Sequence, residues 1–193
     1  MDYKIDKTWA IFYKELAKKL LNFQNNRDDL IEIIKKIYEV TDIKFPTLER
    51  NNELTDIDPF TVFGLFNKSS MKSSNKIKIL DKMKEFFHIQ AKVPYHFDSI
   101  PTINNMNATF YYFEGEREFQ DIENLWSLFE IALLYSNNKD EENKNKFIRK
   151  FNLVMAQPGI GNSKLTSALY WIDSDTFANL DSRAIWYIFE ESE

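Results

Sequence analysis

The residues best suited to chemistry lie in Gln157-Pro158-Gly159-Ile160-Gly161-Asn162-Ser163-Lys164 and, further on, in Leu180-Asp181-Ser182-Arg183. Two of the four glycines in the chain stand one residue apart, between two amphipathic segments. A turn this tight, entered by proline and feeding a new helix, leaves several backbone N–H groups pointing outward. The first N–H groups of a helix have no partner inside it and carry the positive end of its dipole, so such a turn accepts an anion. The chemistry on offer is phosphate binding, with DNA as the source, at the backbone of Gly159, Gly161, Asn162 and Ser163 and at the Lys164 ammonium. The plainer role for the same residues is a helix–helix turn in which glycine supplies φ > 0, with Gly161 the expected position.

Charge is segregated along the chain. Seven lysines fall between Lys68 and Lys92 against Asp81 and Glu85, whereas six acids fall between Glu114 and Glu130 against Arg117. A net charge of −5 excludes a surface that is basic all over. The segregation still lets one face, led by Lys68, Lys72, Lys76 and Lys78, address nucleic acid; otherwise these lysines only solvate a helix. Tyr95, Phe97, Tyr111 and Tyr112 are available to stack on an exposed or flipped base, although burial in a core is the commoner fate of such rings.

Other chemistries are excluded or unsupported. There is no cysteine, hence no disulfide, thiol nucleophile or thiolate metal site, in keeping with a reducing cytoplasm. The glycine turn is not a nucleotide-binding loop, because Lys164 follows Gly161 by three residues and precedes Leu165. His88 and His96 have no acidic residue at metal-ligand spacing and read as surface or loop residues; no metal and no cofactor is expected. Glu114, Glu116 and Glu118 read as a solvated helix start. Asn107-Ala108-Thr109 matches a glycosylation sequon, which carries no meaning without secretion. The N-terminus lacks the basic start and apolar run of a signal peptide, and no apolar stretch approaches a membrane span.

Helices must position these residues. Gly and Pro are scarce, and apolar spacing with caps places eight helical segments. They run over about 7–23, 27–40, 58–67, from a serine of 69–74 to Phe87, 119–135, through Phe147 to Met155, 162–172, and from Asp181 or Ser182 through Ile185, Ile188 and Phe189. Asp58-Pro59 is a strong helix start, since Asp caps and Pro loses no needed N–H at the first position. Between about 88 and 116 the periodicity fails, and only 109–113 has the composition of a short strand. The expectation is one all-α domain over 1–193, or two lobes over 1–92 and 117–193 joined by an irregular 93–116.

The turn resembles a helix-hairpin-helix element, with 147–155 and 162–172 as its helices. Such elements hold DNA backbone phosphate on hairpin N–H groups. In DNA glycosylases of that superfamily an aspartate follows at about the spacing from Gly159 to Asp181 and assists base removal, so Asp181 is either that residue or a helix cap. Their catalytic lysine would fall close to Ser163 or Lys164.

A wider resemblance rests on four blocks in order: 57–68 (Ile57-Asp58-Pro59-Phe60), 99–107 (Ser99-Ile100-Pro101-Thr102), 121–129 (Asp121-Ile122-Glu123-Asn124-Leu125-Trp126) and 159–183, ending Asn179-Leu180-Asp181-Ser182-Arg183. Together these are similar to the region preceding the AAA+ motor in McrB-like subunits of modification-dependent restriction systems. The resemblance implies a recognition or accessory domain acting on DNA, modified or not, beside a GTP-driven motor and a separate nuclease subunit. The expected function is non-catalytic DNA binding. A glycosylase-like enzyme using Asp181, and an assembly module that binds no DNA, are the rivals; the acidic end Glu190-Glu191-Ser192-Glu193 favours the second.

Overall fold

The structure, a computed structural model, describes residues 7–51, 53–105 and 108–188. The fold is all-α: α1 (Thr8–Leu20), α2 (Arg27–Val40), α3 (Pro59–Phe66), α4 (Ser73–Phe86), α5 (Asp121–Asn137), α6 (Glu141–Met155), α7 (Asn162–Ile172) and α8 (Ser182–Trp186), with a 3₁₀ turn over Leu21–Phe23. No helix among the described residues is long and apolar enough to cross a membrane. Phe189, the acidic end at 190–193, and Asn107 of the sequon lie outside the described residues.

Apolar spacing dictates most of these helices. In α1 the residues Trp9, Phe12, Tyr13, Leu16 and Leu20 recur every three to four positions and are buried together. Helix α3 is different: every residue from Pro59 to Phe66 is buried. Its start is fixed as the sequence demands, the Asp58 carboxylate accepting from the N–H groups of Phe60 at 2.8 Å and Thr61 at 3.0 Å. Two starts depart from expectation. Helix α4 opens with Lys72 in the cap position and no side-chain cap, so no serine caps it. Helix α6 begins at Glu141, capped by Asp140, well ahead of the Phe147 to Met155 segment that apolar spacing marks.

Helix α3 is the axis. Helices α5 and α7 pack on it, α1 packs on α7, α6 lies along α5, and α2 along α4. One hydrophobic core runs from Trp9 through Phe60, Leu80 and Trp126 to Phe177, drawing on residues from both sides of the irregular stretch.

The irregular stretch is sewn into that core. It lies against α3, where Phe110 N–H donates to Thr61 Oγ1 at 2.9 Å and Ile103 N–H to the Asn67 carbonyl at 3.0 Å. It also runs antiparallel to α7: Lys164 Nζ donates to the Thr109 carbonyl at 2.6 Å and Trp171 Nε1 to the Pro101 carbonyl at 2.8 Å. Approach to α3 is so close that a Cβ on Gly64 would sit 2.5 Å from the Ala108 carbonyl oxygen. No strand forms at 109–113, because these partners on α3 and α7 take the groups a strand would offer to a neighbour.

Candidate nucleic-acid interface

The turn between α6 and α7 presents its backbone to solvent. Gly159 has φ +79, the left-handed conformation in which a side chain is strained, and a Cβ there would come within 2.5 Å of the Tyr112 ring. Gly161 is in extended backbone at φ −101 and occupies the cap position of α7, with nothing within 4 Å of where a Cβ would stand. The glycine needed for positive φ is therefore Gly159, not Gly161. Because Gly161 has no side chain, α7 has no side-chain cap. The N–H groups of Asn162, Ser163 and Lys164 find no acceptor among the described residues, and Gly161, Asn162 and Ser163 are exposed. Three adjacent donors at the positive end of an eleven-residue helix can donate to the oxygens of an anion.

Lys164 does not reach outward beside them. Its ammonium lies 4.7 Å from the centre of the Phe110 ring while bonding the Thr109 carbonyl. Burial lowers its pKa to about 8, against the pull of the Asp58 carboxylate. Burial likewise lifts Asp58 to about 6, opposed by its donors at Thr61 and Phe60 and by Lys164. Lys164 walls a cavity of about 400 Å³ with Thr109, Tyr111, Tyr112, Glu116 and Gly159. Tyr111 is buried and Tyr112 half exposed, so of the two rings only Tyr112 is free to meet a ligand from solvent. Phe119, just ahead of α5, is fully exposed and lines a shallow depression with Leu153 and Pro158 of the turn. The sequence places it only at the start of the helix expected over 119–135, and no residue pattern marks it as a surface ring.

The lysines of the α4 region divide. Lys72 and Lys78 are exposed. Lys76 is 5% exposed and belongs to the buried side of α4 with Ile79, Leu80 and Met83, so it cannot contact a duplex lying on the helix surface. Lys68 is half-buried, and burial lowers its pKa. Of the aromatics read as stacking candidates, Tyr95 is well exposed and Phe97 packs partly against the core.

Asp181 caps α8. Its carboxylate accepts from Arg183 N–H at 3.0 Å, Ala184 N–H at 2.9 Å and Asn179 Nδ2 at 3.2 Å. The segment before it is tied to the first turns of α7, with Leu180 N–H on Thr166 Oγ1 at 3.1 Å and Ser167 Oγ on Asn179 Oδ1 at 2.8 Å. The chain thus returns to α7 just before Asp181, which serves as the cap of α8. Glu114, Glu116 and Glu118 precede α5 rather than opening it; its acidic first turn is Asp121 and Glu123. Glu116 pairs with Arg50, and Arg117 with buried Glu49. His88 and His96 are both exposed. Among the described residues, no cluster of His, Asp or Glu could hold a metal ion.

Residues 9–192 match the family model described as Domain of unknown function (DUF8425). The chain belongs to this family. Neither the curated proteins nor the solved structures include a match. The family match spans the eight helices but for the first residue of α1, so the glycine turn, the buried α3 and the Asp181 cap all lie inside the family's own domain.

Proposed function

We propose that this chain is a non-catalytic DNA-binding domain that holds a backbone phosphate on the amide groups opening α7. The observation that carries this reading is the α6–α7 turn, where three N–H groups without an acceptor among the described residues open a helix with no side-chain cap. A phosphate oxygen there gains charge-assisted hydrogen bonds without a flexible side chain having to be ordered. Exposed Lys72 and Lys78 add sequence-independent attraction, and Phe119 offers an apolar ring to a groove or an unstacked base. The four sequence blocks similar to McrB-like subunits support a cytoplasmic restriction system as the setting, with a GTPase motor and a nuclease as partners.

The commitment of Asp181 to its cap supports binding without base removal. One observation favours the enzymatic rival: burial lowers Lys164 to about 8 in a cavity beside the turn, which increases its share of the neutral, nucleophilic amine.

The test is anisotropy of labelled duplexes, modified and unmodified, at two salt concentrations, with wild type and Gly161→Val. A valine Cβ meets no protein atom at this position but obstructs an approaching phosphate. Binding that falls at least about tenfold with little change in unfolding temperature supports the turn as the phosphate site. Unaltered binding removes the turn from the interface, and no binding by wild type at low salt favours the assembly module. Abasic sites formed by wild type on damaged duplexes favour the enzyme.

A further inference from the structure

At the Pro101 end of the irregular stretch, away from the glycine turn, α4 walls a cavity of about 330 Å³ with Lys68, Ser73, Lys76, His96, Phe97 and Asp98 on its lining. Lys76 forms part of this wall at 5% exposure. Its ammonium donates to Asn67 Oδ1 at 2.6 Å and lies 4.4 Å from the centre of the Phe97 ring and 5.7 Å from that of Tyr13. An ammonium has three donors, and this amide oxygen is shared with Tyr13 Oη at 3.0 Å. Behind it, Asn67 Nδ2 is buried with no partner, so nothing on that side supplies negative charge.

No carboxylate among the described residues pairs with either Lys76 or Lys68. Asp98 is on the lining but exposed, as is His96. The start of α4 meets the same wall, and the N–H groups of Ser73 and Ser74 have no acceptor among the described residues.

A buried cation without counter-charge is costly; it either sheds its proton or gains an anion. We propose that this cavity binds a phosphoryl group, with the Lys76 ammonium as its floor and Lys68 and the first amides of α4 as its sides. The inference does not require the glycine turn to hold DNA. Burial alone lowers Lys76 to about 7 and lowers Lys68 as well. A bound dianion reverses that, so binding draws a proton onto Lys76.

The test is calorimetric titration of the full chain with sodium sulfate, a tetrahedral dianion that does not itself titrate between about pH 6 and about pH 9, and then with inorganic phosphate. Sulfate affinity is expected to fall by about tenfold per pH unit above neutrality, the slope of one coupled proton. Lys76→Met should weaken sulfate binding by about tenfold or more. His96→Gln should keep the pH slope, which separates the imidazole from the ammonium. Lys68→Gln, at a half-buried position, should weaken binding several-fold and serves if the Lys76 variant does not fold. A 5′-phosphorylated oligonucleotide binding more tightly than its unphosphorylated twin makes a DNA end the source. A mononucleotide that binds as tightly as the phosphorylated oligonucleotide makes it a free phosphate ester. A pH-independent sulfate affinity, unchanged affinity in Lys76→Met and Lys68→Gln, or no saturable heat with either anion would overturn the proposal.

Discussion

The irregular stretch ends against two helix starts, those of α4 and α7, and each combines amides that have no acceptor among the described residues with a lysine turned inward. They differ in what faces the ammonium. Lys164 has the Thr109 carbonyl, the Phe110 ring and the field of Asp58. Lys76 has one amide oxygen and two rings, with no carboxylate. An anion at the α7 turn would therefore meet backbone partial charges, which do not titrate, and one at the α4 end would meet lysine charges, which do. Lysine content alone does not distinguish the two; the groups packed behind each lysine do.

The contrast breaks most readily on stability against pH. Lys76 falls from 10.5 in an unfolded chain to about 7 when folded, so between those values the unfolded chain holds the extra proton. The penalty of the buried charge is complete below about 7 and disappears toward 10.5, so stability should rise with pH across that window, by up to a few kcal/mol. Lys164, at about 8, should add a smaller rise in the same direction. Urea denaturation at several pH values, with Lys76→Met, measures this. If the variant does not flatten the slope, the two ends are electrostatically alike.

The next contrast lies within the glycine turn. Gly159→Ala forces a side chain into positive φ and against Tyr112, and should cost about 1–3 kcal/mol. Gly161→Ala meets open space at ordinary φ, and should change stability by no more than about 0.5 kcal/mol. Equal losses in thermal unfolding would mean that the turn is held by something other than Gly159.

A smaller effect is expected at Asp181. Asp181→Ala should cost about 1 kcal/mol and Asp181→Asn only a few tenths, because asparagine keeps a capping oxygen. Base release by wild type that Asn abolishes without loss of stability would promote the glycosylase-like enzyme. The least effect on the fold is expected from Lys72→Gln with Lys78→Gln, within about 0.5 kcal/mol. On DNA the pair should reduce the salt slope by about one unit per lost contact, and an intact slope would remove the α4 surface from the interface.

Much of this is legible in residue order. Period and caps give the eight helices, with α2 and α7 bounded as expected, and the return of Asp181 to cap α8 follows from its place before Ile185. The burial of Lys76 has a signal too: it stands three, four and seven residues before Ile79, Leu80 and Met83, on their side of α4, where its charge suggests the opposite face. The fate of 93–116 has none. Ile100, Ile103, Ala108 and Phe110 enter the core singly, wherever α3 and α7 leave room, and contacts of that kind have no period. Which glycine carries positive φ is likewise decided by where Tyr112 and the start of α7 lie.

Helix α3 has a consequence for the chain before it is folded. A helix with no solvent side has no amphipathic pattern, and Phe60-Thr61-Val62-Phe63-Gly64-Leu65-Phe66 carries neither charge nor proline. Seven such residues, rich in aromatic and β-branched side chains, are the composition that stacks into intermolecular β-structure when uncovered. The native fold hides them by packing α1 and α2, which lie earlier in the chain, and α5, α7 and the irregular stretch, which lie later, around α3. A nascent or truncated chain that stops before α5 lacks both α5 and α7 and leaves their side of the segment uncovered, so its protection from stacking waits on the second half of the chain.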